Sequence, residues 1–278
     1  MNENEYVSNS TIIEWPTLQV YQIVLGFTNI VLNVISCVLT LITMLCIILN
    51  KNFRKSTNII PFNIVLCDFV MVMTLSVHFL DNSPTDAAFV LIYVADFASV
   101  LSILLAAVHQ FTTIRLDPFG TRGLITTPRV IVACIISWVV FTPAGIFFRR
   151  IQNYKVFYVA SASSDTALLV LTGFFYGFVY TTISSGPAGI SFSNQRKLEN
   201  RRVFVTISLI YVTTLFFRVV YRLLYVLAGF LDSIDFILVG NIIYDIGTMS
   251  NSLVYWWRLK EFRSLFKCKK ITRIDVHV

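Results

Sequence analysis

The chain has 278 residues, of which 56% are hydrophobic and only 13% are charged. A soluble domain carries roughly 25% charged residues, so this composition excludes an ordinary water-soluble globular protein and predicts a protein whose main solvent is lipid. The net charge of +7 is interpreted as membrane topology and contact with anionic lipid, and it does not favour nucleic acid as a partner.

Seven long apolar runs follow one another along the chain, each near the roughly 20 residues that a helix needs to cross the hydrocarbon core. The connections between the runs are too short for a second soluble domain. We therefore predict an all-α fold, a seven-transmembrane-helix bundle over residues 20–258, with an extracellular tail at 1–19 and a cytoplasmic segment at 259–278. The runs lie near residues 20–49, 58–80, 87–114, 129–148, 166–190, 203–230 and 236–257.

Positive charge is concentrated on one side of this predicted bundle. If the N-terminus lies outside, the inner segments hold 17 of the 22 Lys and Arg residues. Short cytoplasmic loops carry the positive excess, so we predict an outside N-terminus, an inside C-terminus and a multi-pass protein of the plasma membrane. The tail has no basic residue and no apolar run, which predicts that the first helix acts as the insertion signal. Within it, Asn9 fits an N-glycosylation acceptor.

The five cysteines form no predicted disulfide, because four of them lie in the apolar runs, where a free cysteine packs as a small apolar residue. The fifth, Cys268, stands among three lysines just after the last run, which is typical of a palmitoylation site. Three scattered histidines offer no metal site, and the sequence contains no phosphate-binding glycine loop or hydrolase motif. We therefore predict neither an enzyme nor a cofactor.

The second run opens with Ser56-Thr57-Asn58 and carries Asn63 and Asp68. A carboxylate inside a span costs about 2.5–3.5 kcal/mol on insertion scales, so Asp68 is expected to face the bundle interior. This pattern resembles the second helix of rhodopsin-like (class A) G-protein-coupled receptors. The resemblance implies that Asp68 is the family's central, sodium-linked switch residue; a plain polar anchor between helices is the alternative.

The third run ends in His109-Gln110-Phe111. Its layout is similar to the family's third helix, in which an Asp-Arg-Tyr triplet closes the span. The resemblance implies that these three residues face the G protein, together with Arg201 and Arg202 before the sixth span. The triplet's arginine is absent here, which leaves a non-coupling receptor open. We expect His109 to lie at the interface and to face the surface.

The seventh run ends with Asn251, Ser252 and Tyr255. This spacing resembles the family's Asn-Pro-x-x-Tyr motif, with Ser252 in place of the proline. The Asn251 amide is expected to bond to Asp68 or to a water, and the Tyr255 hydroxyl to exchange partners near the cytoplasmic mouth. Apolar residues at helical spacing then predict a short amphipathic helix over 259–268 on the inner leaflet. The resemblance implies a switch set of Asp68, Ser99, Asn251 and Tyr255.

Ionisable residues inside the predicted spans identify a candidate ligand pocket. At 1.5 Å per residue, Asp96 and Asp245 lie roughly 13–15 Å from the outer ends of their spans, with Arg218 at a comparable depth. A carboxylate is the favourable partner for a buried arginine, so we expect Arg218 to pair with Asp96 or Asp245 and a polar ligand to compete for that pair. A permanent salt bridge is the alternative. Arg222 is expected to snorkel to the interface. The predicted pocket residues are Asp96, Arg218, Asp245, Tyr93, Phe97, Phe217, Tyr221 and Tyr244.

Within the rhodopsin-like family, the chain most resembles the divergent nematode serpentine chemoreceptors. The resemblance implies a chemosensory receptor that transmits the binding of an extracellular small molecule or short peptide to a heterotrimeric G protein. Two alternatives stay open: a seven-helix receptor that binds without coupling, and a transporter or channel. An odd number of spans without internal repeats disfavours the transporter.

Overall fold

The computed structural model describes residues 20–49, 58–80, 86–117, 122–151, 153–185 and 194–258, which contain seven α-helices and no strand. A π-helical turn, Thr112–Leu116, continues the third helix. The predicted sites Asn9 and Cys268 and the predicted helix 259–268 lie outside the described residues. In chain order the helices are α1 (Val20–Leu49), α2 (Ile59–Leu80), α3 (Asp86–Phe111), α4 (Thr127–Arg150), α5 (Tyr154–Ser185), α6 (Asn194–Leu231) and α7 (Ile234–Arg258).

Six of these helices, α1 to α6, are long and apolar enough to cross a membrane. The seventh, α7, falls short of that hydropathy because it carries Asn241, Asp245 and Asn251 within its length. The predicted all-helical fold is thus confirmed, and the chain is a helical membrane protein.

The start of α5 differs most from the prediction. The helix begins at Tyr154, twelve residues before the predicted run at 166–190; the predicted run starts late because a polar stretch that ends at Asp165 separates the first turns from the apolar residues that follow. Serine hydroxyls in that stretch donate to carbonyls of the same helix, as Ser164 does to Ala160 at 2.9 Å. A polar segment can therefore continue an apolar helix when its hydroxyls bond within the helix.

The helix α1 turns a polar face toward the bundle and an apolar face outward. Its buried residues are Asn29, Asn33, Ser36, Thr40, Thr43 and Ile47. Two of them reach α7: the Ser36 and Thr248 hydroxyls are 2.5 Å apart, and Trp256 Nε1 donates to Thr43 Oγ1 at 2.8 Å. Lipid offers no hydrophobic driving force between helices, so hydrogen bonds of this kind hold α1 in place.

The third helix lies at the centre of the bundle and is mostly buried from Ile92 to Gln110. It brings Asp96 and Ser99 into the interior. One turn further along α3 toward Phe111, Ser102 accepts a hydrogen bond from Asn63 on α2 at 2.7 Å. Asn63 also accepts from Trp138 Nε1 on α4 at 3.0 Å. These bonds fix α2, α3 and α4 against each other and thereby position the site described next.

Candidate functional site

Four buried ionisable side chains meet between α3, α5 and α6, and we call them the charge quartet: Asp96, Asp165, Arg218 and Arg222. The two arginines lie one turn apart on α6, so both point to the same side of that helix. Arg218 Nη1 lies 2.5 Å from Asp96 Oδ1, and Arg222 Nε lies 2.6 Å from Asp165 Oδ2. Arg222 also pairs with Asp96, and Arg218 lies 3.6 Å from Asp165. Each side chain of one sign therefore contacts both side chains of the other.

The charge quartet is enclosed and electrically balanced. Its four residues are between 1% and 6% exposed. Two acids and two bases leave no net charge within the quartet, which is the condition under which ionised groups are tolerated in the interior.

Further hydrogen bonds complete the arginines' surroundings. Arg218 Nη2 donates to the carbonyl oxygen of Asp96 at 3.1 Å, and Arg222 Nη1 donates to Ser161 Oγ at 3.2 Å. The Arg222 guanidinium also lies over the Tyr221 ring, 4.8 Å from its centroid. Bonds in several directions hold both guanidinium planes in fixed orientations.

A cavity of about 420 Å³ lies against the charge quartet. We call the end of the bundle where it lies the cavity end; there α2, α4 and α6 end and α3, α5 and α7 begin. Asp96 and Arg222 border the cavity on the inner side, and Arg149, which pairs with Asp86 at 2.6 Å, borders it near the rim. Its walls are rich in tyrosine: Tyr93, Tyr154, Tyr158, Tyr221, Tyr225 and Tyr244. Its volume falls within the range of small-molecule sites, roughly 300–1,000 Å³.

Toward the bundle centre, the charge quartet lies next to a second polar group, formed by Asp68, Ser99, Asn251 and Thr214. Ser99 Oγ and Asn251 Nδ2 each donate to Asp68 at 3.1 Å, and Thr214 donates to Asn251 Oδ1 at 3.2 Å. A void of about 20 Å³ has both Asp68 and Arg218 in its wall. The expected bond between Asn251 and Asp68 is therefore present, while the switch role of these residues stays a prediction.

The structure brings together only part of the predicted ligand pocket. Of the predicted residues, Asp96, Tyr93, Tyr221 and Tyr244 line the cavity. Arg218 pairs with Asp96 as expected, but it lies behind the cavity wall. Phe97 is buried against Phe141 and Phe148, and Phe217 packs against Gly247 of α7.

Two expectations about charged residues are wrong. Asp245, predicted as a pocket residue, does not line the cavity; it is buried between α7 and α1, where Asn33 faces it. Arg222 does not reach the interface, because its guanidinium is held by Asp165 and Asp96 in the interior. Asp165 was missed altogether, since it stands one residue before the predicted fifth span. Arg218 and Arg222 are four residues apart, so both lie on the same side of one helix. This spacing in the sequence indicates that two buried carboxylates, rather than one, are needed to neutralise them.

At the other end of the bundle, the predicted G-protein-facing residues differ in their exposure. Gln110 is 4% exposed and Phe111 is partly buried, whereas Arg201 is exposed; the side chain of Arg202 lies outside the described part. The expectation that His109 faces the surface is wrong, because it is half-buried and its enclosed Nε2 has no hydrogen-bond partner among the described residues. The Gln110 amide and the buried Tyr255 hydroxyl likewise have no hydrogen-bond partner among the described residues.

Comparison with known proteins adds no assignment: no protein-family model matches the chain, and no curated protein matches its sequence.

Proposed function

We propose that this chain is a seven-span receptor of the rhodopsin-like type in the plasma membrane, which binds an extracellular small molecule or short peptide and acts on a heterotrimeric G protein. The observation that carries the proposal is the cavity with the charge quartet on its inner side. A ligand there touches side chains of α3 and α6 at once. Through Arg218, the same cluster borders the polar group around Asp68.

In this proposal α7 is the seventh span. Its 25 residues reach about 38 Å at 1.5 Å per residue, more than the roughly 30 Å of the hydrocarbon core. Its polar residues are buried against neighbouring helices: Asn251 bonds to Asp68, and Thr248 contacts Ser36. With the N-terminus outside, as the distribution of Lys and Arg favours, the cavity end is extracellular.

Signal transmission in this proposal follows from the position of the arginines on α6. A ligand that contacts Arg222 or Asp96 changes the bonds that tie α6 to α3 and α5, so it has different affinities for two arrangements of α6. At the inner end, the Gln110 amide and the Tyr255 hydroxyl have no partner among the described residues, which favours a second arrangement that gives them partners, because buried polar groups without hydrogen bonds are costly. Such a rearrangement opens the inner end to a G protein.

A receptor that binds without coupling is the second candidate. The specific observation that favours it is Gln110, which stands where the family has its arginine and is buried in this structure. Ligand binding in the cavity is common to both candidates.

Filling the cavity with a tryptophan is expected to weaken the ligand response strongly. Ile237 of α7 lines the cavity, so Ile237→Trp places an indole in the ligand's volume. The measurement is the second-messenger response of cells that display the receptor, challenged with pools of small metabolites. A pool that activates the wild type should need at least about 100-fold more material with Ile237→Trp, a loss of about 2.8 kcal/mol of binding.

The matched control is Leu253→Trp on the same helix, where the side chain is 54% exposed on the outer surface of the bundle. It should respond as the wild type does at equal surface display. An unchanged response with Ile237→Trp would place the ligand elsewhere and remove the main support for the proposal.

A further inference from the structure

A third set of buried polar side chains lies between α1, α2 and α7, apart from the charge quartet and from the group around Asp68. The register of α1 against α7 is fixed by contacts at two levels: Tyr21 and Gln22 donate to Asp235 at 2.7 Å at the start of both helices, and Ser36 contacts Thr248 near their middles. In this register each α1 residue lies level with the α7 residue about 212 positions later, as Ser36 does with Thr248. Asn29 and Asn33 therefore lie level with Asn241 and Asp245.

Two oxygen atoms and one amide nitrogen of these side chains lack hydrogen-bond partners among the described residues. Asp245 is 1% exposed, and its Oδ2 accepts no hydrogen bond from the described residues. Asn29 is 2% exposed, and neither its Oδ1 nor its Nδ2 has a partner there. Asn33 faces Asp245 and accepts from the Ser76 hydroxyl of α2. Buried amides and carboxylates are almost always hydrogen-bonded, so these free atoms require an explanation.

The charge of Asp245 is also unbalanced. Asp96 and Asp165 each contact two arginines, whereas no described Lys, Arg or His lies within ion-pairing distance of Asp245. An ionised carboxylate without a counter-charge in a membrane bundle is strongly disfavoured. One positive charge would balance it, and the surrounding side chains supply amide and hydroxyl oxygens that suit a hard cation.

We propose that Asp245, with the side-chain oxygens of Asn29, Asn33 and Ser76, binds a sodium ion between α1, α2 and α7. A single carboxylate balances a monovalent cation, and a divalent ion would leave a net charge in the bundle. An organic ammonium ligand is too large, because Asp245 is enclosed and does not line the cavity. Asn241, one turn from Asp245 on α7, does line the cavity and marks the side from which the ion enters. This site is distinct from Asp68 and does not depend on the protein being a receptor.

The test measures the thermal unfolding midpoint, Tm, of the full-length protein in nanodiscs, in sodium chloride and in N-methylglucamine chloride at the same ionic strength of about 0.15 M. The starting variant is Asp68→Asn, so that any ion at Asp68 does not contribute. Sodium should raise its Tm by roughly 2–4 °C, because a ligand that binds only the folded state stabilises it. Adding Asp245→Asn should abolish this rise and should increase Tm in the sodium-free buffer, since it removes the unbalanced charge.

A second pair of variants keeps the acid in place. In the same Asp68→Asn background, Asn29→Leu removes one oxygen ligand and should reduce the sodium-dependent rise. Thr28→Val should leave it unchanged, because the Thr28 hydroxyl bonds to a carbonyl of its own helix. Absence of any sodium effect on Asp68→Asn, or an equal effect with and without Asp245→Asn, would overturn the proposal and identify Asp245 as a protonated, uncharged residue.

Discussion

Replacing Asp165 by leucine is expected to destabilise the folded protein by about 3–5 kcal/mol, the cost of leaving a buried charge without its partner. Arg222 loses its contact at 2.6 Å, and Arg218 loses its more distant one at 3.6 Å. Asp96 alone then faces two arginines, so the interior carries an excess positive charge. The measurement is Tm of the purified protein together with the amount of protein at the cell surface, both of which should fall sharply.

Two further variants separate charge balance from the loss of a side chain. The double variant Asp165→Leu with Arg222→Met restores neutrality and should recover most of the lost stability, since a buried ion pair can be replaced by apolar residues of similar size. The control is Asp86→Leu, which breaks the exposed pair with Arg149 and should change stability by about 0–1 kcal/mol. If Asp165→Leu lowers the free energy of unfolding no more than Asp86→Leu does, the charge quartet is not the balanced interior cluster described above.

The second large effect is expected at Gly247, where α7 packs closely against Phe217 of α6. A Cβ atom at this glycine would lie 2.9 Å from the Cβ of Phe217, so Gly247→Leu must push the two helices apart. Overpacking of this kind costs about 1–3 kcal/mol or more. The displaced contact lies one turn from the bond between Thr214 and Asn251, at 3.2 Å, so this bond should be lost as well.

The control for this change is Gly177→Leu on α5, because nothing lies within 4 Å of a Cβ atom at Gly177. Its free energy of unfolding should stay within about 0.5 kcal/mol of the wild-type value, as for other surface substitutions, so its Tm should hardly change. Equal Tm values for the two leucine variants would mean that α6 and α7 do not pack through Gly247.

The helices were predictable because lipid imposes a simple rule on length and composition. A run of about 20 apolar residues is recognisable in a sequence without knowledge of its neighbours, and the bounds of α1 and α2 match the predicted runs within a residue. The bond between Asp68 and Asn251 was also expected, because both are polar residues inside apolar spans and a known motif spacing related them.

The charge quartet was only half predictable, since charge balance is a property of the assembled bundle. Asp165 follows three serines at the edge of an apolar run, which made it resemble a loop residue. The residue becomes part of a span only because Arg222 lies opposite and neutralises it. The polar face of α1 was not predicted for a similar reason. Asn33 and Ser36 are isolated polar residues in the sequence, and their partners lie on other helices.

The central claim, that a ligand in the cavity acts on a G protein, is tested most directly by nucleotide exchange on a panel of purified G proteins, using membranes with confirmed surface receptor and pools of small metabolites. The test compares the wild type with Asn251→Ala, which breaks the bond to Asp68, and with Ser250→Ala, whose hydroxyl donates to the carbonyl of Ile246 within α7. We expect exchange that a pool evokes in the wild type and in Ser250→Ala and that Asn251→Ala loses. Silence across the whole panel would contradict the claim: with binding retained it would identify a non-coupling receptor, and with solute flux in place of binding it would identify a transporter.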